Sequence, residues 1–125
     1  ATGDLARVPL QRVGVGKGFV QLSGEDQTAL AFMAHGGQGC ISVTSNILPR
    51  LLATFQDHCL KGNYAAALEI QDQLTPIHEA MFMEASPGPV KYAAQLMGIL
   101  SDEMRLPMAP VAEATKQPRM AKFSS

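Results

Sequence analysis

Residues 19–43 read Phe19-Val20-Gln21-Leu22-Ser23-Gly24-Glu25-Asp26-Gln27-Thr28-Ala29-Leu30-Ala31-Phe32-Met33-Ala34-His35-Gly36-Gly37-Gln38-Gly39-Cys40-Ile41-Ser42-Val43, and this stretch decides the fold. Phe19–Ser23 and Gly39–Val43 are short apolar runs of strand type whose starts lie roughly 20 residues apart. Gly24-Glu25-Asp26 turns the chain, and its acidic residues suit a helix N-terminus, whose dipole they complement. The spacing predicts a helix from Gln27 to Ala34 that stops at His35-Gly36-Gly37, a glycine-rich C-cap. A strand, a helix and a second strand with short connections demand parallel pairing through a right-handed crossover. Both strands are mostly apolar rather than alternating, as expected where both faces of a sheet are buried.

Working outward, Asp4 can accept from orphan N–H groups at the start of a helix over Leu5–Val15. Pro9 removes a donor there and is expected to shift the start or bend the helix. Gly14-Val15-Gly16-Lys17-Gly18 superficially suggests a phosphate loop. A phosphate loop follows a strand and opens a helix, whereas this segment follows a helix and opens a strand. It therefore reads as a plain connection. Beyond the second strand, Thr44-Ser45-Asn46 offers caps and Pro49 suits a first turn. The next helix runs to Lys61 with Leu48, Leu51, Leu52, Phe55 and Cys59 on one face.

After Asn63 the pattern is all helical. Ile70, Leu74, Ile77 and Met81 repeat at helical spacing, and Pro76 is expected to kink or split that run. Ser86-Pro87-Gly88-Pro89 is a loop. Val90–Leu100 reads as a helix, Arg105-Leu106-Pro107 as a break, and Val111–Lys116 as a short helix before a polar tail containing Pro118.

The bulk properties exclude several classes. The chain has 125 residues, 46% of them apolar, with net charge −1 and no run of like charge. No nucleic-acid or membrane-surface footprint shows, and no apolar stretch approaches the ~20 residues of a membrane span. His35, His58 and His78 share no ligand spacing, so each is expected to cap, pack or lie at the surface, with no metal. Cys40 and Cys59 are not spaced as a redox pair and read as two buried thiols in a reduced, cytoplasmic compartment. Met81, Met83, Met97 and Met104 are expected to fill gaps between C-terminal helices. Two parallel strands leave unpaired N–H and C=O groups on both outer edges, so the sheet is expected to be incomplete.

Five segments carry a specific likeness. They are Ala1-Thr2-Gly3-Asp4-Leu5, Leu22-Ser23-Gly24-Glu25-Asp26, Gly36 through Asn46, Ser86-Pro87-Gly88-Pro89-Val90-Lys91-Tyr92, and Leu106-Pro107-Met108-Ala109-Pro110. In this order and spacing the chain resembles the dihydrodipicolinate synthase family. The resemblance implies an α/β fold, the C-terminal portion of a (β/α)8 barrel. Strands seven and eight would lie in residues 1–62, and a C-terminal helical extension in residues 63–125 would pack on them.

The family condenses pyruvate with aspartate semialdehyde in lysine and diaminopimelate biosynthesis, through a Schiff base on a lysine and without a cofactor. That lysine lies in a Gly-Ile-Lys-Glu stretch, expected just upstream of Ala1, so no catalytic residue is expected within the chain and the chain alone is expected to be inactive. By resemblance, Gly24 lets the backbone approach substrate, the Ile41 carbonyl meets bound pyruvate, and Asp26 helps order water near the second substrate. A homotetramer is implied for the full-length protein, with contacts near Leu5-Ala6 and His35. Glu25, Cys40 and Gly88 stand where Asp, Val and Ile are frequent. Two alternatives stay open: another pyruvate-dependent aldolase (an N-acetylneuraminate lyase or keto-deoxy sugar aldolase), and a non-catalytic half-barrel that needs a partner chain. Lys91 follows Pro89 on a helix and is not expected to act as the nucleophile.

Overall fold

The computed structural model describes residues 2–116. Ala1 and the polar tail with Pro118 lie outside those residues. The elements in chain order are α1 (Arg7–Val15), β1 (Leu22–Ser23), a 3-10 turn (Asp26–Thr28), α2 (Ala29–Ala34) and β2 (Gly39–Cys40). A second 3-10 turn (Thr44–Asn46) leads into α3 (Pro49–Leu60), α4 (Tyr64–Ala80), α5 (Gly88–Leu96) and α6 (Glu113–Lys116).

α1 starts later than the sequence suggested. The Asp4 carboxylate accepts the Ala6 N–H at 3.1 Å, and the Asp4 carbonyl accepts from Arg7 at 3.2 Å. Pro9 is the third residue of α1, where an N–H would have no intrahelical partner, so it breaks nothing. Gln21 fastens this helix to β1, its buried side chain donating to the Val8 carbonyl at 3.1 Å.

β1 and β2 pair in parallel, Leu22 opposite Gly39 and Ser23 opposite Cys40. The predicted pairing is therefore present, but the regular strands are two residues each rather than five. With one neighbour each, Phe19, Val20 and Ile41 lack a ladder to hold them and stand 63%, 58% and 72% exposed. The crossover between the strands is the 3-10 turn plus α2.

The end of α2 is closed by two glycines for different reasons. Gly36 adopts φ +95°, which side chains with a Cβ rarely reach. Gly37 lies under the Phe32 ring, and a Cβ there would come within 2.1 Å of Phe32 Cε1 and 2.9 Å of the Phe32 carbonyl oxygen. Arg12 adds a bond from α1, its guanidinium donating to the His35 carbonyl at 2.5 Å. We expect Gly37→Ala to lower stability by about 1–3 kcal/mol through overpacking, read as a lower urea midpoint at unchanged slope.

Two apolar clusters make the core. Ala29, Met33, Phe55, Cys59 and Ala67 join α2, α3 and α4. Ile47, Ala80, Met81, Val90, Ala93 and Ala94 join the second 3-10 turn, the end of α4 and α5. Leu52, Phe55 and Cys59 form the buried face of α3, as the periodicity implied. Thr44–Asn46 do not cap α3 directly. They form their own turn, and α3 begins at Pro49 with no side-chain cap.

α4 runs unbroken through Pro76. A proline removes one N–H bond, here the one that would reach Asp72, and both residues are exposed. α5 ends at Leu96 rather than Leu100, and Gly98 with φ +75° terminates that turn. Met81 fills the core as expected and Met104 is half-buried, but Met83 and Met97 are 38% and 42% exposed and fill no gap. No helix among the described residues is long and apolar enough to cross a membrane.

Candidate active site

In a parallel α/β sheet, functional groups gather at the C-terminal strand ends. Those ends here are Ser23-Gly24 and Ile41-Ser42. The Ile41 N–H donates to the Ser23 carbonyl at 2.7 Å, which brings Ile41 beside Gly24. The Ile41 carbonyl receives no hydrogen bond among the described residues. Gly24 opens onto a cleft of about 210 Å³ between the N-terminal segment and the end of β1, with Thr2, Asp4, Arg7, Ser23 and Glu25 among its lining residues. Ser23 is buried, and its hydroxyl accepts the Glu25 N–H at 3.0 Å, fixing the turn that presents Gly24.

Asp26 lies beneath this surface, only 3% exposed. Its Oδ2 accepts two backbone N–H groups, Val43 at 2.9 Å and Thr44 at 3.1 Å. One carboxylate therefore ties the turn after β1 to the turn after β2. Its Oδ1 is buried with no protein partner among the described residues. The three residues singled out by sequence thus share one end of the sheet.

Sequence reading took Thr44 for a cap at the strand end and understated His78; it missed the bond between them. Thr44 is fully buried, and its Oγ1 lies 2.7 Å from Nδ1 of His78, itself 1% exposed. The available signal was position: His78 falls on the same stripe of α4 as Leu74 and Met81. Burial holds the His78 pKa below its usual 6.5, while the negative charges of Asp26 and Glu25 act the other way. With the folded-state pKa depressed, the unfolded chain binds the proton more readily. Stability from this group is then complete above pH 6.5 and is lost as pH falls from there through the lower folded value. We expect unfolding midpoints to drop below pH 6.5, with part of that slope absent in a His78→Asn variant.

His35 is exposed, and His58 is half-buried with Asn63 Nδ2 3.4 Å from its Nδ1. No group of three His, Cys, Asp or Glu side chains among the described residues is arranged to hold a metal ion. The Lys91 ammonium on α5 donates to the Glu103 carbonyl.

Both cysteines are free, Cys59 buried and Cys40 only half-buried rather than buried as expected. The Cys40 thiol is pushed up to about 11, mainly by burial and then by Asp26, with an opposing contribution from the Ser23 hydrogen bond. Burial also raises the Cys59 pKa. Only the thiolate reacts with alkylating agents. At pH 8, iodoacetamide is therefore expected to label both cysteines much more slowly in the folded than in the urea-unfolded protein, as followed by mass spectrometry.

The model of the dihydrodipicolinate synthetase family matches residues 1–124. The chain belongs to this family. It is 58% identical over 117 residues to the 4-hydroxy-tetrahydrodipicolinate synthase of Afipia carboxidovorans, covering 94% of the chain and 40% of that protein. The chloride-inhibited dihydrodipicolinate synthase from Acinetobacter baumannii, complexed with pyruvate, superposes with TM-score 0.91 at 31% identity, over 99% of this chain and 43% of that one. A structure described as the first monomeric dihydrodipicolinate synthase variant gives TM-score 0.89 at 31% identity, over 98% and 42%. The chain thus spans about 40% of the length of the family members it matches, and within that span the fold is that of part of their structure.

Proposed function

We propose that this chain is the C-terminal portion of a 4-hydroxy-tetrahydrodipicolinate synthase, a lyase that condenses pyruvate with aspartate semialdehyde through a lysine Schiff base. β1 and β2 are then strands seven and eight of a (β/α)8 barrel, with residues 1–62 the barrel portion and residues 63–125 the helical extension. The observation that carries this reading is Ile41. It stands 72% exposed at the C-terminal end of a parallel pair, beside Gly24, with its carbonyl free among the described residues. A backbone carbonyl in that position can accept from a small substrate held in the barrel mouth, and Gly24 leaves space for the approach. The exposed Phe19, Val20 and Leu22 support the same reading, since strands of a parallel sheet are normally covered on both faces.

The Schiff-base lysine lies on a preceding segment. Lys17 sits between α1 and β1, at the end of the strand opposite Gly24, which is the stability face of a barrel. The Asp26 Oδ1 is the oxygen left to order a water near the second substrate. The protein works in the cytoplasm without a metal or cofactor, and the full-length protein assembles as a homotetramer using the surfaces near Leu5-Ala6 and His35.

The test is an assay of the full-length protein with pyruvate and aspartate semialdehyde, beside one with N-acetylneuraminate. Turnover of the first pair alone is expected. Cleavage of N-acetylneuraminate alone would replace the synthase reading with the lyase one. Light scattering checks the assembly, and a stable monomer would remove the tetramer from the account.

A further inference from the structure

We propose that His78 is a positioning residue for the Ile41 carbonyl, acting through Thr44; this rests on reading that carbonyl as part of a pyruvate site. The turn that follows Ile41 is laced internally. Ser45 N–H donates to Ser42 Oγ at 2.9 Å, Ser45 Oγ donates to the Ser42 carbonyl at 2.9 Å, and Asn46 Nδ2 donates to the Val43 carbonyl at 3.0 Å. These bonds shape the turn but do not place it against the rest of the molecule. Placement comes from four other bonds: Ile41 N–H to Ser23, the Val43 and Thr44 N–H pair to Asp26, and the Thr44 hydroxyl to His78. The last is a tie from the helical region to the strand end, across 34 residues of sequence.

The direction of that bond follows from burial. Thr44 is fully buried, and its hydroxyl has no other partner among the described residues than His78 Nδ1. A buried O–H left without an acceptor is costly, so the hydroxyl donates and the imidazole accepts. His78 is therefore neutral, with its proton on Nε2. Thr44 is gripped at its backbone by Asp26 and at its side chain by His78. Loss of the second grip frees the turn to shift relative to Gly24 and moves the carbonyl three residues upstream.

The experiment uses the full-length protein with pyruvate as the probe and compares Thr44→Val, Thr44→Ser, His78→Leu and His78→Asn. Thr44→Val keeps the shape and removes the hydroxyl. His78→Asn keeps an acceptor near the Nδ1 position. The KM for pyruvate is expected to rise about tenfold in Thr44→Val and His78→Leu, with the KM for aspartate semialdehyde unchanged. The serine and asparagine variants restore most of the loss, and the Thr44→Val/His78→Leu double variant is no worse than either single one. If His78→Leu does not fold, the near-isosteric Thr44→Val carries the test. An unchanged pyruvate KM in Thr44→Val, or additive losses in the double variant, overturns the inference alone. Absence of saturation by pyruvate in the unaltered protein overturns the synthase reading and the inference with it.

Discussion

Replacement of Asp26 by alanine is expected to lower folding stability by about 3–5 kcal/mol, among the largest losses a single substitution can cause here. The carboxylate is 3% exposed and holds two backbone N–H groups. Bonds to a charged acceptor are the stronger kind, and their loss strands the buried Thr44 N–H away from water and the part-buried Val43 N–H beside it. Asp26→Asn keeps an oxygen and should lose less. Urea unfolding at constant slope measures both. A second readout comes from Cys40, whose thiol Asp26 helps to push upward. In Asp26→Asn, Cys40 should alkylate faster than in the unaltered protein while Cys59 keeps its rate.

The order of helices and strands was legible because each change of period is marked by glycine, proline or acidic residues. Strand type and parallel pairing followed from the apolar runs and the short crossover. Strand length did not follow, because Phe19–Val20 and Ile41–Val43 have the composition of strands but find no second neighbour to pair with. Pro76 does not split α4, because a proline's cost depends on which carbonyl it deprives, and Asp72 is exposed. Gly24, Ile41 and Asp26 were singled out by resemblance; the two-strand register brings them to one place. The link from Asp26 to His78 by way of Thr44 was illegible. It depends on how α4 lies across the end of β2, and no periodicity within one segment carries that.

The second large effect is all-or-none. The isolated 125-residue chain is expected to show no condensation, while the full-length protein turns over. Holding amine and carbonyl together supplies about 7–11 kcal/mol of the barrier, and a barrel mouth without its lysine forfeits it. Among the described residues no lysine stands at the C-terminal end of β1 or β2. Exposed apolar residues such as Phe19 and Ile41 should also make the isolated chain associate or precipitate.

Borohydride trapping with pyruvate, followed by peptide mass spectrometry, tests the account most directly. One pyruvyl adduct per full-length subunit is expected, on a lysine preceding Ala1, and none on the isolated chain. A stoichiometric adduct on Lys17 or Lys91, or a full-length protein that turns over pyruvate with no adduct at all, would contradict it.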